Sequence, residues 1–257
     1  MSMKNTVTQF LVRQRANLLP IPALSAGLVI FTFLLLLWDT YKKTALSEKF
    51  RLYPSAPFEL NLNCLSFYLL FHESFLHWIF AVIVLFIPMA NFEKSHGTVY
   101  TGIVLNVLTV VSGLQYCIVG YFLYPVSVVV GLSGAAVFFA TYMAYEELSH
   151  VPLKYTFEIS DLTTLGDLPT YLLLSCLSLL FYLPVATASL IWLNFASIVS
   201  GCLLISRKIS YLTPPQKVIV FLDLPANLRD IFNNRYIQFI PYKDVPSELL
   251  ALPVAQP

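Results

Sequence analysis

Long apolar runs separated by short polar breaks organise this chain. A bilayer core is about 30 Å thick and a helix rises about 1.5 Å per residue, so a span needs about 20 mostly apolar residues. Six segments reach or approach that length: 19–38, 66–90, 99–121, 126–145, 169–183 and 186–206. The pattern predicts an all-α, polytopic membrane domain over 19–206, preceded by a flank at 1–18 and followed by a tail at 207–257. The fourth segment differs from the rest. Tyr124-Pro125, Gly131 and Gly134 interrupt it, leaving 133–145 as its uninterrupted helix, about 20 Å long and shorter than the core. Unwound backbone at membrane depth persists only where protein or a water-filled cavity shields it. The stretch 126–132 is therefore expected to dip into the lumenal half of the membrane and to deliver Ser133 below the surface.

Composition removes the competing classes. Of 257 residues, 58% are hydrophobic and 11% charged, against about a quarter charged in soluble domains. A net charge of +1 gives no electrostatic footing for nucleic acid, so the expected surroundings are the lipid bilayer and other membrane proteins. Cys64, Cys117, Cys176 and Cys202 are widely separated, without metal-type spacing, and read as free thiols behaving as small hydrophobes. No metal and no other cofactor is expected.

Orientation follows from charge. The first apolar run is too long for a signal peptide and has no small-residue cleavage pattern behind it. Lys4, Arg13 and Arg15, with no acid before residue 18, read as a cytosolic flank rather than a mitochondrial presequence. Six spans bring both termini to one side. That side carries 11 Lys and Arg, against 4 in the 39–65 loop on the other, so both ends are expected in the cytosol. The tail is rich in proline and scattered charge and reads as a loosely ordered appendage. A short amphipathic stretch at 227–234 is the part of it suited to the membrane surface.

Polar groups inside spans are expensive and so mark candidate function. Here they are His72, Glu73 and His77 in span two, Ser133 in span four, and Asn194, Ser197 and Ser200 in span six. His72 and Glu73 lie near the lumenal interface and are expected to be solvated. Counting from the cytosolic helix ends puts His77, Ser133 and Asn194 about 21, 18 and 18 Å deep, one shared level. Three polar groups at one depth suit an intramembrane pocket; each bonded to its own neighbouring carbonyl is the plainer alternative. Ser133 opens a helix whose free N–H groups and dipole favour negative charge, an arrangement suited to a nucleophilic hydroxyl with an oxyanion site beside it.

Gly131-Leu132-Ser133-Gly134, His72-Glu73-Ser74-Phe75-Leu76-His77, Glu93-Lys94-Ser95-His96-Gly97 and Ser197-x-x-x-Gly201 together resemble the rhomboid intramembrane serine proteases. The run from Phe92 to Gly102, followed by Leu123-Tyr124-Pro125, resembles the fungal rhomboid-2 branch of the Golgi and early secretory pathway. The resemblance implies a six-helix bundle with a short re-entrant span four. It also implies a Ser–His dyad in which the span-four serine attacks a peptide bond and the span-six histidine takes its proton. Span-two His and Asn side chains then bind the oxyanion.

Ser133 matches the nucleophile and His77 the span-two histidine. The general-base position, however, is Asn194, and the span-two asparagine position is Ala81. The place of an aromatic residue that stacks on the histidine holds Val137. An amide has no useful basicity near neutral pH, so Asn194 can orient a hydroxyl but cannot take its proton. Losing an oxyanion donor typically costs about 10²–10³ in rate, and losing a triad member far more. His96 and His150 lie at the cytosolic ends of their spans, and only His77 shares the level of Ser133.

With these departures, the resemblance implies a catalytically impaired rhomboid, a pseudoprotease that binds transmembrane segments of other membrane proteins, and by analogy with its fungal branch one that resides in the Golgi or endoplasmic reticulum. The alternative is an active intramembrane serine endopeptidase with His77 as substitute base. A transporter or channel has little support, since no half-helix pair recurs and no buried ion pair appears. Gly102, Gly113, Ser197 and Gly201 are expected to allow close helix approach.

Overall fold

A computed structural model describes residues 20–42, 46–123, 127–150, 188–206, 212–223, 233 and 236–242. The expected fifth span, Cys176 and Tyr124-Pro125 lie outside these residues, as does most of 227–234.

The described helices are α1 (Ala23–Lys42), α2 (Leu46–Lys49), α3 (Leu62–Phe67), α4 (Phe75–His96), α5 (Thr98–Leu123), α6 (Ser133–His150), α7 (Ala188–Ile205) and α8 (Gln216–Leu222). A single 3-10 turn, Tyr68–Leu70, follows α3. Among the described residues three helices, α1, α4 and α5, are long and apolar enough to cross a membrane, and α7 is a shorter apolar helix. The protein is a polytopic all-α membrane protein, as the apolar runs predict. Cys64, Cys117 and Cys202 are free thiols.

The helix α6 is the axis of the bundle, packed against α4 on one side and α7 on the other. Every residue from Gly131 to Ala140 is buried, as befits a helix without a polar face. Its contact with α7 depends on small residues. A Cβ on Gly134 would lie 2.9 Å from Ser197 Oγ, and one on Gly201 would lie 2.9 Å from Thr141 Cβ and 3.0 Å from the Phe138 carbonyl oxygen. The backbones therefore approach too closely for larger side chains. Gly113 of α5 likewise faces Leu65, Leu52 and Tyr68 at 3.2–3.3 Å. Gly102 is looser, with Leu24 at 3.6 Å, an ordinary contact.

Two expectations need correction. Span two begins later than its apolar run. Ser74 caps α4 by accepting the His77 N–H at 3.2 Å, and residues 71–74 form a non-helical link ahead of it. An N-cap hydroxyl overrides the apolar run, because it satisfies one of the four N–H groups left over at a helix start. The described part of the tail also docks on the bundle, which its composition did not suggest. Ile237–Gln238 pairs in parallel with Ile21–Pro22, and Phe239 and Ile240 are buried.

That docking centres on the turn between α4 and α5. Glu93 is fully buried, and its carboxylate accepts from Leu24 N (2.9 Å), Ser25 N (2.8 Å), Ser25 Oγ (2.7 Å) and Thr98 Oγ1 (2.8 Å). The first turn of α1 has no acid of its own, so Glu93 supplies the negative charge that its N–H groups and dipole favour. Thr98 N donates to Ile240 O at 2.8 Å, and Ile240 N donates to Thr98 Oγ1 at 3.0 Å. Gly97 has φ +95°, and a Cβ there would sit 2.7 Å from Pro241 O and Tyr242 Cα. The residue must be glycine both for its left-handed backbone and for the close approach of the tail.

Candidate active site

The serine is positioned by backbone pairing rather than by its helix alone. Ahead of α6 the chain runs extended, and Val129 exchanges both backbone hydrogen bonds with Leu52 at 2.9 Å in an antiparallel bridge. Gly131 N donates to Tyr68 O at 2.9 Å. Leu132 N donates to His72 Nε2 at 3.2 Å. The unwound stretch before Ser133 thus meets its hydrogen-bonding needs from the loop after α2, from the 3-10 turn and from one imidazole, which is how irregular backbone becomes tolerable at membrane depth.

His72 is therefore not solvated as expected; it is 3% exposed. Its adjacency to charged Glu73, which is exposed as expected, gave no sign of this. Because Nε2 accepts from Leu132 N–H, the ring is neutral with its proton on Nδ1. Its basic nitrogen is occupied, and it is not available to deprotonate Ser133.

Ser133 is the first residue of α6 and is fully buried. His77 lies on the first turn of α4, with its Cε1 2.8 Å and its Nε2 3.3 Å from where a Cβ on Gly131 would be. His72 Cδ2 lies 3.3 Å from the same point, and the two imidazoles meet edge to face with centroids 5.7 Å apart. Gly131, at φ +112°, is the one residue type that both tolerates this backbone and leaves room for the rings. Two histidines and the serine loop are thereby gathered at one end of the bundle.

On the other side of α6, Gly134 touches Leu193 and Ser197 of α7, the residues flanking Asn194 on that helix. Asn194 is 1% exposed. Ser133 Oγ, Asn194 Oδ1 and His72 Nδ1 are buried atoms with no hydrogen-bond partner among the described residues. The neighbouring hydroxyls are different: Ser197 Oγ donates to Leu193 O and Ser200 Oγ to Ala196 O, while Ser112 Oγ donates to Ser200 Oγ at 2.8 Å. Ala81 and Val137 are buried, and Ala81 belongs to one apolar cluster with Leu132, Ala135 and Ala136. At position 81 this end of the bundle offers a methyl group in an apolar core and no donor.

The residues sequence reasoning missed are His72 as a backbone anchor and Leu52 as the pairing partner of the re-entrant stretch. Ser74 three residues before His77 was a legible capping signal; the Leu52–Val129 pairing left no signal in either segment alone.

Fold and site together define a polytopic helical membrane protein in which a buried serine, held by glycines, opens the central helix. The chain belongs to the rhomboid family: the rhomboid domain model matches residues 61–213, which include both Ser133 and Asn194. It is 45% identical over 227 residues to Rhomboid-type serine protease 2 of Debaryomyces hansenii, covering 87% of this chain and 77% of the relative. To the protein of the same name in Candida albicans it is 41% identical over 211 residues, covering 79% and 70%. To that of Saccharomyces cerevisiae it is 40% identical over 129 residues, covering 50% and 48%.

Proposed function

We propose that this rhomboid is a pseudoprotease: it binds transmembrane segments of other membrane proteins, and peptide hydrolysis is impaired or lost. The observation that carries this reading is the fully buried Ser133 hydroxyl, which has no hydrogen-bond partner among the described residues, in a chain whose general-base position is the amide Asn194. Serine is a weak nucleophile until a base within hydrogen-bond reach takes its proton. His72 has spent its basic nitrogen on Leu132. The methyl group of Ala81 removes an oxyanion donor as well, a second loss on the same reaction path. What remains is the re-entrant stretch and the close α6–α7 packing, which in this reading serve to hold a client helix rather than to cut it. In this reading the protein resides in the Golgi or the endoplasmic reticulum with both termini cytosolic, on the strength of the fungal-branch resemblance and the Lys and Arg excess on one side.

One observation favours a second reading, an active intramembrane serine endopeptidase. The His77 ring lies against Gly131, two residues before Ser133, where a substitute base would have to be.

A fluorophosphonate probe on the purified full chain separates the two. The pseudoprotease reading expects no covalent labelling above that of Ser133→Ala. Labelling that disappears in both Ser133→Ala and His77→Ala would replace it with the second reading.

A further inference from the structure

The helix α8 is short, and among its described side chains only Ile219 is buried, at 3% exposure. Val218, Val220, Phe221 and Leu222 are all exposed, Phe221 at 85%, and Leu212 just ahead of the helix is exposed too. We propose that α8 is an interfacial anchor, lying in the headgroup zone of the bilayer beside the Glu93 end of the bundle.

Its place in the fold carries the argument. Asp223, which ends α8, accepts the Tyr242 N–H at 3.1 Å, and the Tyr242 ring meets that of Tyr100 with centroids 5.9 Å apart. Tyr100 lies in the first turn of α5, a helix long enough to cross the membrane. The level of α8 is therefore the level at which a spanning helix leaves the hydrocarbon. Tyr100, Tyr242 and the exposed Tyr236 gather at this end, and tyrosine is the residue type that settles at the membrane–water boundary. Lys217, exposed on the same helix, supplies a cation for lipid phosphate. Seven residues rise about 10 Å, too little to cross, and the preceding Pro214-Pro215 is not helical. A short helix with four exposed apolar side chains, fixed at the boundary of a span, is suited to lie in the membrane surface. This adds Gln216–Leu222 as a membrane-surface segment of the tail; the 227–234 stretch that the sequence pattern pointed to lies, apart from residue 233, outside the described residues.

The test uses the full chain with Cys176→Ser and Cys202→Ser, carrying Phe221→Cys labelled with a nitroxide, in vesicles of phosphatidylcholine and phosphatidylserine. Since Phe221 is exposed, the label displaces no packing. Collisions with dissolved oxygen are expected to exceed those with a water-soluble nickel chelate, the signature of a site below the headgroups, and Val220→Cys is expected to give the same order. An excess of nickel collisions at both positions, which indicates water, would overturn the proposal. So would loss of access to both reagents, which indicates a protein cover.

Discussion

The two ends of this bundle treat buried polar atoms in opposite ways. At the Glu93 end a buried carboxylate receives four hydrogen bonds, and Thr98 and Ile240 close a reciprocal pair beside it. At the Ser133 end the serine hydroxyl, the Asn194 carbonyl and the His72 Nδ1 are buried without partners among the described residues. Since an unmet buried polar group typically costs about 1–3 kcal/mol, the first end is built for stability and the second retains polar groups that stability does not call for. Retained cost of that kind is where a binding or catalytic role is to be sought.

The sharpest way to break the contrast is to disarm the satisfied end. Glu93→Gln replaces an all-acceptor group by one whose amide must point N–H donors at Leu24 N, Ser25 N, Ser25 Oγ or Thr98 Oγ1. Hydrogen bonds to a charged group are worth about 1.5–3 kcal/mol each, and a mismatched donor adds its own penalty. The expected loss is about 3 kcal/mol or more, read as a fall in the thermal unfolding midpoint in detergent. An unchanged midpoint would remove this end as the stabilising one.

Gly97→Ala tests the same end through the backbone. A backbone at φ 95° and ψ 157° is essentially reserved for glycine and costs another residue about 1–3 kcal/mol. The new Cβ would meet Pro241 O and Tyr242 Cα at 2.7 Å, so the tail must shift. Destabilisation of about 2–3 kcal/mol is expected, together with earlier proteolytic release of the tail. A variant that melts earlier but keeps its tail protected would show the strain to be local.

Between the two ends, Gly201→Leu forces a side chain against Thr141 and the Phe138 carbonyl. Overpacking of this kind costs about 1–3 kcal/mol, and about 2 is expected by the same melting measurement. Full stability would mean that α6 and α7 can separate without loss, and the close α6–α7 contact would have no part in holding the bundle together.

How much of this was readable beforehand follows the range of the interactions. Apolar runs fix α1, α4, α5 and α7 because the bilayer demands them locally. Ser133 was visible as a helix opening because two glycines flank it. The tail was not visible, since a two-residue pairing and a bond joining residues 142 positions apart leave no periodic trace in either segment. His72 was misjudged for a related reason. Its burial follows from Leu132 needing an acceptor, a requirement set by how the re-entrant stretch folds and not by the neighbours of His72 in sequence. The absence of a base at Asn194, by contrast, is a matter of residue identity, and so sequence alone could state it.

The smallest expected effect lies at the unsatisfied end, and it is the most telling. Ser133→Ala deletes a hydroxyl that forms no hydrogen bond among the described residues, within a helix whose neighbours Ala135 and Ala136 are already small and buried. Alanine is the better helix former by a few tenths of a kcal/mol, and the deleted oxygen carried a desolvation cost with nothing to offset it. Stability is therefore expected to stay within about 0.5 kcal/mol of the parent, or to rise, while binding of a transmembrane client persists. A loss of 2 kcal/mol or more would mean that the hydroxyl has a structural partner after all, and the difference between the two ends would collapse.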